Sequence, residues 1–290
     1  MKQKSKKKFN LFMFILFIFF VIYTLILFGL LIWAISSSFM GRREFQTTPF
    51  GFPKELNFEN YKTVLDLFKI QIRDDGGLRY VYFGELLTNS LLYAVGSAFF
   101  QTLSVCITAY CCAKYRYKFS GIIYSVVLIM MMLPVVGTLS SSIQIAQALN
   151  LYDTIGGIWI MNASFLGIYF LVFYDVFASI PKALFEAARI DGANDIHLLT
   201  KIAAPLSVKT FMIVFLINFI TYWNDYQTPI IYLKTKPVIA YALFDITQNI
   251  RGNVPQILCA ALIILVPVII LFCCTSKYLM GNLTAGGVKE

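Results

Sequence analysis

The chain has 290 residues, of which 59% are hydrophobic and only 13% charged, with a net charge of +9. Soluble globular domains are close to half apolar and about a quarter charged, so the composition excludes an ordinary soluble enzyme. The basic excess is read as membrane topology and contact with anionic headgroups, not as nucleic-acid binding, because the apolar residues gather into long uncharged runs.

Residues 9–40, 86–113, 119–139, 154–174, 210–223 and 254–276 contain no Asp, Glu, Lys or Arg. Most exceed the roughly 20 residues that cross a hydrocarbon core about 30 Å thick. The fifth is shorter, but only Asp225 interrupts it before Lys234. These runs predict an all-α membrane protein with six transmembrane helices, at about 9–37, 86–113, 119–140, 154–178, 206–232 and 254–278. A basic tail, 1–8, precedes them and a C-terminal tail, 281–290, follows. The first run is about twice as long as a signal peptide's apolar region and lacks a convincing A-x-A site, so it reads as a retained helix. The third helix carries Pro134, which fits a kink beside a pathway or ordinary packing.

Lys and Arg favour cytoplasmic loops. With the N-terminus inside, inside segments hold 14 of the 24. Of the 10 outside, seven lie in the long 41–85 loop, and long loops translocate largely regardless of charge. Both termini are therefore expected in the cytoplasm. The outer loop holds one amphipathic helix, capped by Asn57, with Phe58, Tyr61, Val64, Leu65 and Phe68 at helical spacing. All six Cys lie in helix runs or at their ends, without zinc-like spacing, and read as packing residues.

One island breaks the apolar pattern: "PKALFEAARIDGANDIHLLTKIAAPL", 181–206. It is too polar to span. Ser179 is expected to cap a helix beginning with Pro181, with Leu184, Ala187, Ala188 and Ile190 along one side. Gly192 closes it in a left-handed conformation. Asn194 caps a second helix bearing Ile196, Leu199, Ile202 and Ala203, and Pro205 stops it. Two short helices meeting at a glycine form a knuckle, where small Ala side chains admit another backbone and Glu186, Arg189 and Asp191 supply polar contacts. A helix pair lying on headgroups is the alternative, but the mixed charge signs suit a protein partner.

The segment "EAARIDGANDIHLLTKIAAPL" resembles the EAA loop of permease subunits of bacterial ABC importers. Glu186-Ala187-Ala188, Gly192, Ile202 and Pro205 fall at the motif positions. "WNDY" (Trp223–Tyr226) is similar to the W-N-x-aromatic of carbohydrate-uptake permeases, and "LTAGGVKE" (Leu283–Glu290) to the C-terminus of the maltose-type subunit, with Glu290 where the family has Gly. The resemblance implies the type I importer fold in a multi-pass protein of the bacterial cell membrane. It implies a homologous second permease in a heterodimer, an ABC ATPase dimer, an extracellular sugar-binding protein and a sugar or oligosaccharide cargo. The knuckle would be the coupling helix seated in the ATPase, with Glu186, Ala187, Ala188, Arg189, Asp191, Gly192 and Ala193 in contact. The sequence contains no G-x-x-x-x-G-K-[ST], so this chain is expected to bind no cofactor, ATP and Mg²⁺ belonging to the partner.

Two acidic residues stand near membrane depth, where an ionisable group is a functional candidate. Asp175 is close enough to a helix end to reach the headgroups. Asp225 lies in "WNDY", where an aromatic face can stack on a pyranose while amide and carboxylate bond its hydroxyls; Trp223, Asn224, Asp225 and Tyr226 are thus the candidate substrate pathway. An interfacial belt, shared with Trp33 and Trp159, is the alternative for Trp223. Pro229 is expected to free a carbonyl beside them. His197, the only histidine, has no second member for metal or catalytic chemistry. Two other classes compete: a proton-coupled secondary carrier, and an intramembrane aspartyl protease built on Tyr174-Asp175, for which no G-x-G-D exists.

Overall fold

The computed structural model describes residues 11–280 except 75, 116–118, 134–136 and 251–252. Pro134 and the tail motif 283–290 lie outside the described residues. The fold divides into two compact units: one of 11–67 with Ile246–Ile263, the other of Phe68–Asp245 with the chain from Ile264.

The first unit opens with α1 (Leu11–Ser38), whose 28 residues span about 42 Å at 1.5 Å each. Its apolar side chains are exposed along nearly the whole length, and only Ser37 and Ser38 are buried. The short α2 (Arg42–Thr47) and α3 (Glu59–Leu67) follow. Asn57 accepts from the Glu59 N–H at 3.1 Å, the expected cap, and Val64 is fully buried. The C-terminus of α1 is pinned at Ser38. Its hydroxyl donates to the Ile35 carbonyl at 2.7 Å, so the Tyr61 phenol, 2.7 Å away, is the donor to Ser38. The Asn60 amide donates to the carbonyls of Ser38 and Met40, and Cys259 also donates to Ser38. Terminal helix carbonyls have no partner within the helix; here α3 supplies them.

The second unit begins with a hairpin that the amphipathic reading of the outer loop missed. β1 (Lys69–Asp74) pairs antiparallel with β2 (Gly77–Tyr82), Lys69 opposite Tyr82 and Asp74 opposite Gly77. Ile70, Ile72 and Val81 are buried, and Arg79 grips Glu85 through both terminal nitrogens at 2.9 and 3.0 Å.

The unit is organised around α4 (Phe83–Lys114). It packs against α5 (Ser120–Met132) and three later helices. α6 (Leu139–Ala148) occupies the stretch expected to be an outer loop, so the third helix ends at Met132 and not near 140. The expected fourth helix, 154–178, is two: α7 (Ile155–Asn162) and α8 (Ile168–Ser179). Between them Gly167 takes φ +127°, a conformation open to glycine and not to a side-chain-bearing residue. The break is tolerable because its polar groups find partners on α4: the Ser104 hydroxyl donates to the Ala163 carbonyl at 3.0 Å and the Asn162 amide to Ser97 at 3.1 Å.

α9 (Lys182–Ile190) leaves α8 at a 65° bend. α10 (Asp195–His197) runs through a π-helical stretch, Leu198–Ala203, into α11 (Ala204–Trp223). Pro205 therefore does not stop the second short helix. It stands in the first turn of α11, and the wider π turns before it absorb the hydrogen bond that proline cannot donate. α12 (Gln227–Tyr232), α13 (Ile239–Asn249) and α14 (Val254–Met280) complete the described residues, the last two contributing to both units. Four helices are long and apolar enough to cross a membrane: α1, α4, the continuous Asp195–Trp223 rod and α14. Counting the bent α8–α9 pair makes five among the described residues.

Candidate functional site

The knuckle is an exposed turn held by one buried anchor. Pro181 is the N-cap of α9, while the Ser179 hydroxyl donates back to the Val176 carbonyl and caps nothing. Phe185, at 8% exposure, anchors the helix within a core that includes Tyr110, Phe177 and Leu198. The expected stripe divides accordingly: Ala188 turns partly inward, whereas Leu184, Ala187 and Ile190 face out.

At its end the Gly192 N–H bonds the Arg189 carbonyl and the Ala193 N–H bonds the Ala188 carbonyl, with Gly192 at φ +82°. This paired closure, with a left-handed glycine after the cap, is the Schellman arrangement. Asn194 then accepts from the His197 N–H at 2.8 Å, the expected cap. Across the turn Arg189 and Asp195 pair at 2.9 Å; both are more than half exposed, so the pair contributes at most about 1 kcal/mol and mainly fixes the angle. Glu186, Ala187, Arg189, Asp191 and Gly192 all reach the surface, beside Ile190 at 87% and Ile196 at 70% exposure. An exposed apolar tip rimmed by charges is the composition of a protein contact.

The second candidate, "WNDY", falls at the helix break between α11 and α12. The structure sends its four side chains to different places. Trp223 is 2% exposed, stacked on Phe219, and donates its indole N–H to the Ile264 carbonyl at 3.1 Å. That ring is unavailable to a sugar, which corrects the expectation of a stacking platform. The Asp225 carboxylate accepts from the Tyr93 phenol at 2.7 Å and from the Thr228 N–H at 3.1 Å. Tyr226 stacks on Phe244, ring centres 4.6 Å apart. Only Asn224 is exposed, its amide donating to the Ile220 carbonyl. Pro229 frees no carbonyl within α12, since it stands in the first turn, where an N–H has no partner inside the helix to give up. Asp175 and His197 are exposed.

Sequence reasoning missed the residues on α4 that hold these breaks together, although their spacing is visible. Asn89, Tyr93, Ser97 and Gln101 recur every four residues, one face of a helix. Asn89 donates to the Pro237 carbonyl, Tyr93 to Asp225, Ser97 accepts from Asn162, and Gln101 accepts from Tyr222 at 2.8 Å. Within an apolar medium an unpaired polar group costs several kcal/mol, so the stripe and the breaks require each other.

Comparison with known proteins places this architecture. Residues 105–283 match the family described as the binding-protein-dependent transport system inner membrane component. The arabinooligosaccharides transport system permease protein AraQ of Bacillus subtilis is 26% identical over 240 residues, covering 82% of this chain and 80% of its own. The trehalose/maltose transport system permease protein MalG of Thermococcus litoralis is 29% identical over 269 residues, covering 89% and 90%. Among solved structures, a chain of a bacterial ABC transporter that imports the acidic polysaccharide alginate superposes with a TM-score of 0.75 at 22% identity, over 96% of this chain and 99% of that one. A chain of a bacterial alginate ABC transporter in complex with its alginate pentasaccharide-bound periplasmic protein gives 0.60 at 16% identity, over 96% of each. Reaching from α4 across the knuckle and past the end of α14, the family match shows that the chain belongs to the inner membrane components of binding-protein-dependent transport systems.

Proposed function

We propose that the chain is the permease subunit of an ATP-driven importer that carries a sugar or oligosaccharide, delivered by an extracellular solute-binding protein, across the bacterial cell membrane. The observation that carries this reading is the α9–α10 knuckle, an exposed protrusion of an inner membrane component that offers a contact to another protein. Its residues from Glu186 to Ala193 seat in an ABC ATPase dimer, which holds ATP and Mg²⁺, and a homologous second permease completes the pathway. The sugar class follows the names of the relatives.

In the proposed topology α5 and the broken α7–α8 pair supply the two crossings beyond the four long apolar helices. That makes six, with both termini in the cytoplasm as the Lys and Arg distribution favours. Asn224 faces the pathway, and Trp223, Asp225 and Tyr226 hold the break that presents it. The test is uptake of labelled oligosaccharides by proteoliposomes containing both permeases and the ATPase. Uptake that requires ATP and the binding protein supports the reading. Uptake driven by a proton gradient without ATP would replace it with a secondary carrier.

A further inference from the structure

A cavity of about 150 Å³ opens where the end of α4 meets the start of α9. Lys114, Lys182, Arg189, Glu186, Tyr110 and Tyr115 line it. Arg189 is already paired with Asp195. Lys182 makes no ion pair among the described residues. Lys114 donates to the Ile180 carbonyl at 2.7 Å and lies 4.6 Å from the centre of the Phe185 ring. An ammonium has three N–H donors, so that single hydrogen bond leaves two for another acceptor.

We propose that this cavity binds one phosphate group, held by Lys114 and Lys182 with the Tyr110 phenol as a neutral donor. Size restricts what enters: pockets that enclose drug-sized molecules run to about 300–1,000 Å³, so this space takes one small anionic group and not the whole of a nucleotide or disaccharide. Charge selects its sign. Glu186 is the opposing carboxylate in the lining, against the two lysines and a neutralised arginine. Burial first, and then side-chain hydrogen bonds to Asp195 and Tyr110, hold the Tyr115 phenol above its ordinary pKa, so its one proton is committed there and Tyr110 is the phenol left to donate. Basic pockets on the cytoplasmic side of membrane helices suit the headgroups of anionic lipids; a soluble phosphate ester offers the same chemistry. Bound there, the phosphate bridges α4 to the first turn of the knuckle, beside the bend where α8 becomes α9. The site rests on the cytoplasmic placement proposed above.

Native mass spectrometry of the purified permease–ATPase complex, released from nanodiscs of phosphatidylcholine with phosphatidylglycerol, reads the site directly. The expected result is a retained phosphatidylglycerol whose affinity falls roughly fivefold for Lys114→Gln and again for Lys182→Gln. Lys201→Gln, which removes an exposed lysine outside the cavity, serves as the control and retains the lipid. In a second arm the complex in phosphatidylcholine alone is titrated with glycerol 1-phosphate. Saturable binding that both lysine variants weaken assigns the site to a soluble phosphate; lysine-dependent binding of phosphatidylglycerol alone assigns it to lipid. Equal binding of both probes by the wild type and the Lys114 and Lys182 variants overturns the site. Because the readout is occupancy, a complex that binds normally but fails to transport would count against the importer reading and not against the cavity.

Discussion

The phenol of Tyr93 donates to the carboxylate of Asp225 across 2.7 Å, joining the middle of α4 to the break between α11 and α12. Asp225 also accepts from the Thr228 N–H, so one carboxylate both starts α12 and ties it to the central helix. Charge-assisted bonds of this kind are about twice as strong as neutral ones. Tyr93→Phe should lower the stability of the purified complex by about 1–3 kcal/mol, read as a loss of thermal midpoint. Asp225→Asn in the Tyr93→Phe background should cost less than Asp225→Asn alone. Additive effects of the two changes would show that the bond contributes nothing.

Gly96 lies under the indole of Trp159, and a Cβ built there would stand 2.1 Å from that ring. The ring is held on its other sides, donating to the Leu92 carbonyl at 2.9 Å and stacking on Phe100. It cannot retreat without losing both. Gly96→Ala should therefore cost about 1–3 kcal/mol as overpacking, and Trp159→Leu in the same chain should recover part of the loss. Wild-type stability of Gly96→Ala would mean that α7 packs elsewhere.

Trp223 and Asn224 are neighbours with opposite expected phenotypes. Trp223→Ala removes a buried ring and the indole bond to Ile264, at about 3–5 kcal/mol, so the yield of assembled complex should fall. Asn224→Ala should leave assembly and midpoint unchanged while lowering sugar uptake. Uptake in complexes matched for subunit stoichiometry separates them. Unchanged uptake by Asn224→Ala removes this residue from the pathway.

The expected orientation is checked by labelling. In a cysteine-free background a single Cys at position 7 or 288 should react with an impermeant maleimide only after the cells are opened. Labelling of either from outside intact cells would contradict cytoplasmic termini.

Membrane class and the knuckle were legible because both are compositional. Uncharged runs report an apolar solvent, and Gly192 and Asn194 announce a turn and a cap by residue type alone. The break between α7 and α8 was invisible to hydropathy, since Ala163–Gly167 stays uncharged and its single polar side chain, Ser164, accepts from the Leu166 N–H within the turn. The hairpin carries a signal of its own, Ile70 and Ile72 alternating before Asp75-Gly76, a strong hairpin dipeptide, which the helical spacing of residues 58–68 masks. Trp223 shows the remaining limit. Residue type suggested sugar stacking, whereas the direction of its ring is set by Ile264, distant in the chain, and no local pattern encodes that partner.

The central claim is that the knuckle passes the ATPase's motion into the α4-centred unit as a rigid lever. The turn that shapes it depends on Gly192 at φ +82°, which proline, fixed near −65°, cannot adopt. The most direct measurement is the amount of sugar imported per ATP hydrolysed in proteoliposomes, comparing the wild type with Gly192→Pro in complexes of equal subunit stoichiometry. The account predicts that the variant still assembles and that its ATPase still turns over, while uptake falls to background and hydrolysis no longer responds to the binding protein. An assembled Gly192→Pro complex that imports sugar at the wild-type ratio would contradict it.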